Sequence, residues 1–274
     1  MESFYERWHS LSSLKSSNIV AGLDPVSVAM GRKVCLSKNT NILKWSINYI
    51  NAVAPYVTAI KFNAGYFNST DGMMILERAT KAAQGLGLLT IIDSKIADID
   101  STAEAWICNW KHLGFDALTV APYAGNIEGV IKLAKKYEIA AISMGLMSNP
   151  EYKTEMYFQD TNGVSLWKNR VMRAVAAGVD GLVVGGTYTA KDSVLREFVD
   201  LTKNTKLLYL VPGIGAQGGK IGTFLQSGID ASRCMISVGR SLMFPDKNNA
   251  SPNDQALAAK TFRDSFNNAL KEFM

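Results

Sequence analysis

Leu88-Leu89-Thr90-Ile91-Ile92-Asp93-Ser94-Lys95-Ile96-Ala97-Asp98 is the stretch on which the fold turns. Its first five residues form an apolar run that is too short for an ordinary helix and rich in β-formers, which reads as a buried strand. Side chains alternate along a strand, so Asp93 and Lys95 point the same way at its exit, with Asp98 on the next turn of chain. Lys95 is thus expected between two acids, and each nearby carboxylate favours its ammonium form. A rigidly aimed ammonium can stabilise a developing anion and then hand it a proton.

Runs of the same kind recur along the chain. Ile19 to Leu23, Val57 to Ile60, Ala117 to Val120, Ile139 to Ile142, Gly181 to Val184, Leu207 to Val211 and Cys234 to Val238 bring the number of expected strands to eight. Helical spacing fills the intervals, over Ile42 to Val53, Met73 to Gln84, Thr102 to His112, Ile127 to Tyr137, Leu166 to Ala177 and Ser193 to Thr202. Strands alternating with helices imply βαβ units and a parallel sheet. Eight units in 274 residues match a single (β/α)8 TIM barrel in the α/β class, spanning residues 1–274 as one domain. A doubly wound sheet is the alternative, but it usually carries a Gly-rich turn after its first strand, and Gly22-Leu23-Asp24-Pro25 is not one. Phe4, Trp8 and Leu11 stand at helical spacing and predict a short N-terminal helix, and Ala256 to Phe273 predicts a closing amphipathic one. The polar stretch from Ser148 to Gly163, after the fifth strand, is long enough to be a lid or binding loop, or plain surface decoration.

On a barrel the strand ends at the C-terminal face carry the active site. Asp24 ends the first strand, Lys61 the second, and Asp93 and Lys95 the third, with Asp98 close behind. A salt-bridge network on the barrel rim would account for one such pair, whereas alternating acids and bases from three successive strands fit catalysis. A second site lies after the last two strands. Pro212-Gly213-Ile214-Gly215-Ala216-Gln217-Gly218-Gly219 is a Gly-rich loop whose backbone can approach an anion closely. Gly239-Arg240-Ser241 enters a helix with an arginine, and the loops after strands seven and eight commonly bind phosphate. The expected ligand is therefore a phosphorylated small molecule whose reactive end meets a Lys-Asp-Lys-Asp array. Decarboxylation, enolisation and aldol cleavage all pass through a carbanion that such an array could serve, and none requires a metal or redox cofactor here.

Composition narrows the remaining classes. The chain is 47% hydrophobic but has no apolar run of about 18 residues, so no membrane span is expected. The acidic start Met1-Glu2-Ser3-Phe4-Tyr5-Glu6-Arg7 does not read as a secretory signal. Cys35, Cys108 and Cys234 are far apart and odd in number, as in a cytoplasmic protein with reduced thiols. His9 and His112 are the two histidines, and neither has a partner at metal-ligand spacing, which disfavours zinc and a Ser-His-Asp triad. The net charge of +5 suits an anionic ligand, but with no basic stripe or stacking motif a nucleic-acid partner is not expected.

These residues resemble the orotidine 5′-phosphate decarboxylase family. Asp93-Ser94-Lys95-Ile96-Ala97-Asp98-Ile99 with Thr102 is similar to its D-x-K-x-x-D-I-x-x-T, Pro212 to Gly219 to its phosphate-gripping loop, and Met147-Ser148-Asn149-Pro150 to a segment whose serine contacts the pyrimidine. The motifs stand in family order from Gly22 to Ser241. The resemblance implies conversion of orotidine 5′-monophosphate (OMP) to UMP and CO2 without metal or organic cofactor. It implies that Lys95 protonates C6, with Lys61, Asp93 and Asp98 completing the array. Asp24 and Lys61 would hold ribose hydroxyls, Gln217, Gly218, Gly239 and Arg240 the phosphate, and Ser148 and Pro212 the base. Asp98 and Thr102 would act across the interface of a homodimer. Asn63, in the strand-two segment Lys61-Phe62-Asn63, stands where many relatives carry another residue, and the stretch from Ser148 to Gly163 matches the family only at its start. Hexulose-6-phosphate synthases and keto-gulonate-phosphate decarboxylases share the D-x-K-x-x-D stretch, but place a magnesium-binding glutamate where this chain has Lys61. A nucleotide-binding protein without catalysis is the other alternative.

Overall fold

The eight apolar runs become eight strands, β1 (Ile19–Leu23), β2 (Ala59–Asn63), β3 (Leu89–Ile96), β4 (Ala117–Val120), β5 (Ala140–Leu146), β6 (Gly181–Val184), β7 (Leu208–Pro212) and β8 (Cys234–Val238). The structure, a computed structural model, describes residues 2–26, 30, 34–149, 151–214, 219–245 and 250–272. Each strand pairs in parallel with the next, and β8 pairs with β1, closing a (β/α)8 barrel. Parallel strands packed on both faces must be apolar throughout, which is why these runs show little alternation in sequence.

The two faces still differ in what they touch. Ile19, Ile60, Ile92, Leu118, Leu182, Tyr209 and Ile236 point outward into the shell shared with the helices. Val20, Ala59, Leu89, Ala117, Ile142, Leu208 and Met235 point inward and fill the barrel in stacked layers. Continuing the inward rows by two residues per strand reaches Gly22, Lys61, Thr119, Met144, Leu210 and Ser237 at the C-terminal mouth. The period of two thus delivers polar residues to the site as soon as the apolar filling stops.

Helix α1 (Phe4–Lys15) opens on a capping box, with Glu6 N–H donating to Ser3 Oγ and Ser3 N–H to Glu6 Oε2. It buries Phe4 and Trp8 against the inward layers and so plugs the end of the barrel opposite the site. Trp8 Nε1 donates to the Ser232 carbonyl, and Arg7 pairs with Asp116 at 2.6 Å. The crossover helices are α2 (Ile42–Val53), α3 (Gly72–Gly85), α4 (Asp100–His112), α5 (Ile127–Lys136), then α6 (Tyr152–Glu155) with α7 (Leu166–Ala176), α8 (Ser193–Thr202) and the short α9 (Ile221–Leu225). After β8 come α10 (Arg240–Met243) and α11 (Pro252–Lys271). Helix α11 begins earlier than its apolar spacing predicts because Ser251 and Asp254 form a capping box and Pro252 occupies the first turn. None of the described helices is long and apolar enough to cross a membrane.

Several boundaries depart from the expectation, β2 among them, which runs from Ala59 to Asn63 rather than from Val57 to Ile60. Strands β3 and β5 run on well past their apolar cores, to Ile96 and Leu146, and each carries a register shift there. The stretch after β5 is not merely a polar loop. It contains α6, buries Tyr152 and Met156, and ties back through Tyr152 OH to the Gly145 carbonyl at 2.7 Å.

Candidate active site

A cavity of about 420 Å³ opens at the C-terminal mouth of the barrel. Its floor is apolar, from the inward side chains of Met144, Val183 and Leu210. One wall is charged. Lys61, on β2, reaches Asp93 Oδ2 with its Nζ at 3.0 Å, and Lys95 reaches Asp93 Oδ1 at 2.6 Å. Within one chain the array is therefore an aspartate between two lysines. The expected arrangement of Lys95 between two acids is not met in the single chain, because β3 turns sharply after Lys95 and carries Asp98 outward.

The electrostatics follow from that geometry. Burial alone would push the Asp93 carboxyl up, but the Lys61 and Lys95 ammoniums outweigh it and hold Asp93 well below the usual carboxylate range. Burial likewise works against the Lys61 ammonium, and the Asp93 and Asp24 carboxylates overcome it, raising Lys61 above its ordinary value. Both shifts have the same meaning: Asp93 and Lys61 stay charged through the neutral range. Removing one partner of so buried a pair costs about 3–5 kcal/mol, because it strands the other charge.

Lys95 has a left-handed backbone, with φ 46°. It sits where the β3–β4 ladder breaks, between Ile92↔Leu118 and Ile96↔Val120. Three β3 residues there face a single β4 residue, Thr119, and the bulge turns Lys95 toward the mouth.

The opposite wall comes from the last strands. Pro212 ends β7 with Gly213 just beyond it, and Gly239 and Arg240 follow β8. A methyl on Gly22 would lie 3.0 Å from Gly239 Cα, so the backbones of β1 and β8 approach here as only glycines allow. Helix α10 is a single turn, so the arginine fork and backbone N–H groups, rather than a helix dipole, would grip an anion. Asp24 lies between the two walls, beside Gly239. Ser148 lines the cavity from the end of β5.

Of the residues expected from sequence, Asp24, Lys61, Asp93, Lys95, Ser148, Pro212, Gly239 and Arg240 converge on this one cavity. Gln217 and Gly218 lie outside the described residues, as does Pro150. Asp98 and Thr102 do not line the cavity. Asp98 is exposed, accepts a hydrogen bond from Ile99 N–H, and lines a neighbouring surface groove with Lys95, Trp106 and Trp110. Thr119 and Ser237 line the cavity without having been singled out in the sequence, and Asn149, quoted there beside Ser148 with no role of its own, lines it too. Thr119 and Ser237 carry one usable signal, a hydroxyl two residues beyond an inward apolar residue near a strand exit. Among the described residues no group of three or more His, Cys, Asp or Glu side chains is placed to hold a metal ion.

Known proteins are similar to this chain over most of its length. A family model described as "Orotidine 5'-phosphate decarboxylase / HUMPS family" matches residues 17–250. An orotidine 5'-phosphate decarboxylase of Parabacteroides distasonis is 30% identical over 250 residues, covering 87% of this chain and 86% of that protein. One from Roseiflexus castenholzii is 28% identical over 278 residues, covering 98% of each. Among solved structures, Leishmania donovani OMP decarboxylase superposes with a TM-score of 0.77 at 26% identity, over 98% of this chain and 99% of that one. Leishmania donovani UMP synthase gives 0.80 at 27% identity, but this chain spans 57% of that longer one.

Proposed function

The chain belongs to the orotidine 5′-phosphate decarboxylase / HUMPS family, and from that premise we propose that it converts OMP to UMP and CO2, a step of pyrimidine biosynthesis. The observation that carries this reading is the Lys61–Asp93–Lys95 array facing Gly239 and Arg240 across one cavity. The phosphate binds at Gly239 and Arg240, with Gln217 and Gly218 from the β7 loop. Asp24 and Lys61 take the ribose hydroxyls, and Ser148 and Pro212 the base.

With the phosphate held far from the reacting carbon, its binding energy can be used to seat C6 against Lys95. Loss of CO2 leaves an electron pair in the ring plane at C6. The Lys95 ammonium faces that charge as it develops and then transfers a proton to C6. Asp93 holds Lys95 through the 2.6 Å pair and is itself fixed from the other side by Lys61. No step calls for a metal or organic cofactor, and the Lys61 ammonium would repel a magnesium ion placed beside it.

The active species is a homodimer in which Asp98 and Thr102 serve the partner's cavity. Support comes from the surface around Asp98. Ile99 is 62% and Trp106 46% exposed in the single chain, next to the groove that Asp98 shares with Lys95. Apolar side chains left exposed beside an incomplete charged site suit a second copy. We take the chain to be a single domain over residues 1–274, acting in the cytoplasm.

Mixing the protein with OMP and following the orotate absorbance tests the reading. The band should decline as UMP forms, and prior treatment with EDTA should leave the rate unchanged. Tight UMP binding without turnover would make the chain a nucleotide-binding protein. Activity abolished by EDTA and restored by magnesium would place it with the sugar-phosphate enzymes of the family.

A further inference from the structure

Thr119 has no part in the steps above, yet it holds both charged residues of β3. It lies on β4 with its side chain inside the barrel and is fully buried. Its Oγ1 donates to Asp93 Oδ1 at 2.9 Å and accepts from the Lys95 backbone N–H at 2.9 Å. Its carbonyl accepts from Ser94 Oγ at 3.4 Å. An ionised carboxylate can only accept and an amide N–H can only donate, so the single hydroxyl proton has one place to go.

The ladder shows why the hydroxyl matters. Asp93, Ser94 and Lys95 all face Thr119, and none of the three has a paired residue on β4. In a regular sheet the Lys95 N–H would find a strand carbonyl. Here the threonine side chain takes that part. Lys95 also has a left-handed backbone, a strained conformation for a residue with a Cβ. A strained bulge keeps one shape only where its surroundings fix it, and Thr119 is bound to each of its three residues.

Resting on the decarboxylase reading, we propose that Thr119 is a positioning residue, whose hydroxyl locks the β3 bulge and thereby sets where the Lys95 ammonium and the Asp93 carboxylate stand. A threonine that merely filled space would be replaced well by valine, which has the same shape, and less well by serine, which lacks the methyl. A positioning hydroxyl reverses that order.

The test compares Thr119→Val, Thr119→Ser and Thr119→Ala for kcat, KM, UMP affinity and Tm. Thr119→Val should lower kcat at least roughly tenfold, since small misplacements of a reacting group are costly. UMP affinity should stay within about threefold, because Gly239 and Arg240, proposed to grip the phosphate, follow β8 across the cavity. Thr119→Ser should keep kcat within about threefold of the parent while its Tm falls through loss of a buried methyl. Parent-like kcat in Thr119→Val, or equal losses in the serine and alanine variants, would overturn the proposal, and the latter comparison stands even where the valine variant does not fold. A parent without turnover would remove the decarboxylase reading alone. In that event a urea double-mutant cycle of Thr119→Val with Asp93→Asn still reads the link: coupled losses are expected, and additive ones contradict it.

Discussion

At the residue scale, Asp93 accepts from Lys61, Lys95 and Thr119 at once, and its charge organises the site. Replacing Lys95 by alanine removes the proposed proton donor but leaves the far wall intact. Turnover should fall by about 10²–10⁴-fold, with UMP affinity changed by less than about tenfold. Enzyme assay and calorimetric UMP titration check the two arms. Asp93 yields a prediction about pH. Its folded-state pKa is depressed, so its contribution to stability is present above the ordinary carboxylate range and is lost as pH falls toward the folded value. Asp93→Asn should therefore lower Tm by a gap that is constant between about pH 5 and 8 and narrows below about pH 4. Thermal melts across that range decide it, and a gap that closes near neutrality would contradict the geometry.

At the element scale, the strand exits carry the chemistry, and their backbones are close enough to be perturbed one at a time. A methyl on Gly185, just past β6, would come within 2.9 Å of Ser148 Cα and 3.0 Å of Ser148 N at the end of β5. Backbone cannot give way cheaply there, so Gly185→Ala should displace Ser148. The expected outcome is a rise in KM of at least roughly fivefold with a smaller change in kcat, the pattern of lost uniform binding. Steady-state kinetics reads it directly. The strands were legible because apolar runs of four or five residues, spaced by helical patterns, leave few alternatives. Ile42 to Val53 and Ser193 to Thr202 match their helices end to end. The ends of β3 and β5 were hidden because polar residues at a strand exit look like loop. Thr119 was hidden for the opposite reason: a β-branched threonine inside an apolar run looks like an ordinary strand residue. The charged residues of the site were readable from their places at strand ends, whereas the left-handed turn at Lys95 that carries Asp98 out of the cavity has no local signature in sequence.

At the scale of the whole molecule, the barrel separates stability from chemistry. Helix α1 plugs one end with Trp8 and Phe4, and the cavity occupies the other. Among the described residues Lys95 pairs with Asp93, while Asp98 faces outward beside exposed Ile99 and Trp106. Lys95→Ala and Asp98→Ala proteins should each be nearly inactive alone. Mixed and allowed to exchange subunits, they should regain activity, because one cavity of the hybrid then has both intact residues. No recovery, with hybrids shown to form, would place Asp98 outside the neighbour's site. The central claim is that this cavity makes UMP by protonating a C6 carbanion. Reaction with OMP in D2O, read by the NMR spectrum of the product, tests it most directly. The account predicts UMP carrying one deuterium, at C6, formed by the parent and not by Lys95→Ala; no UMP, or UMP with hydrogen at C6, would contradict it.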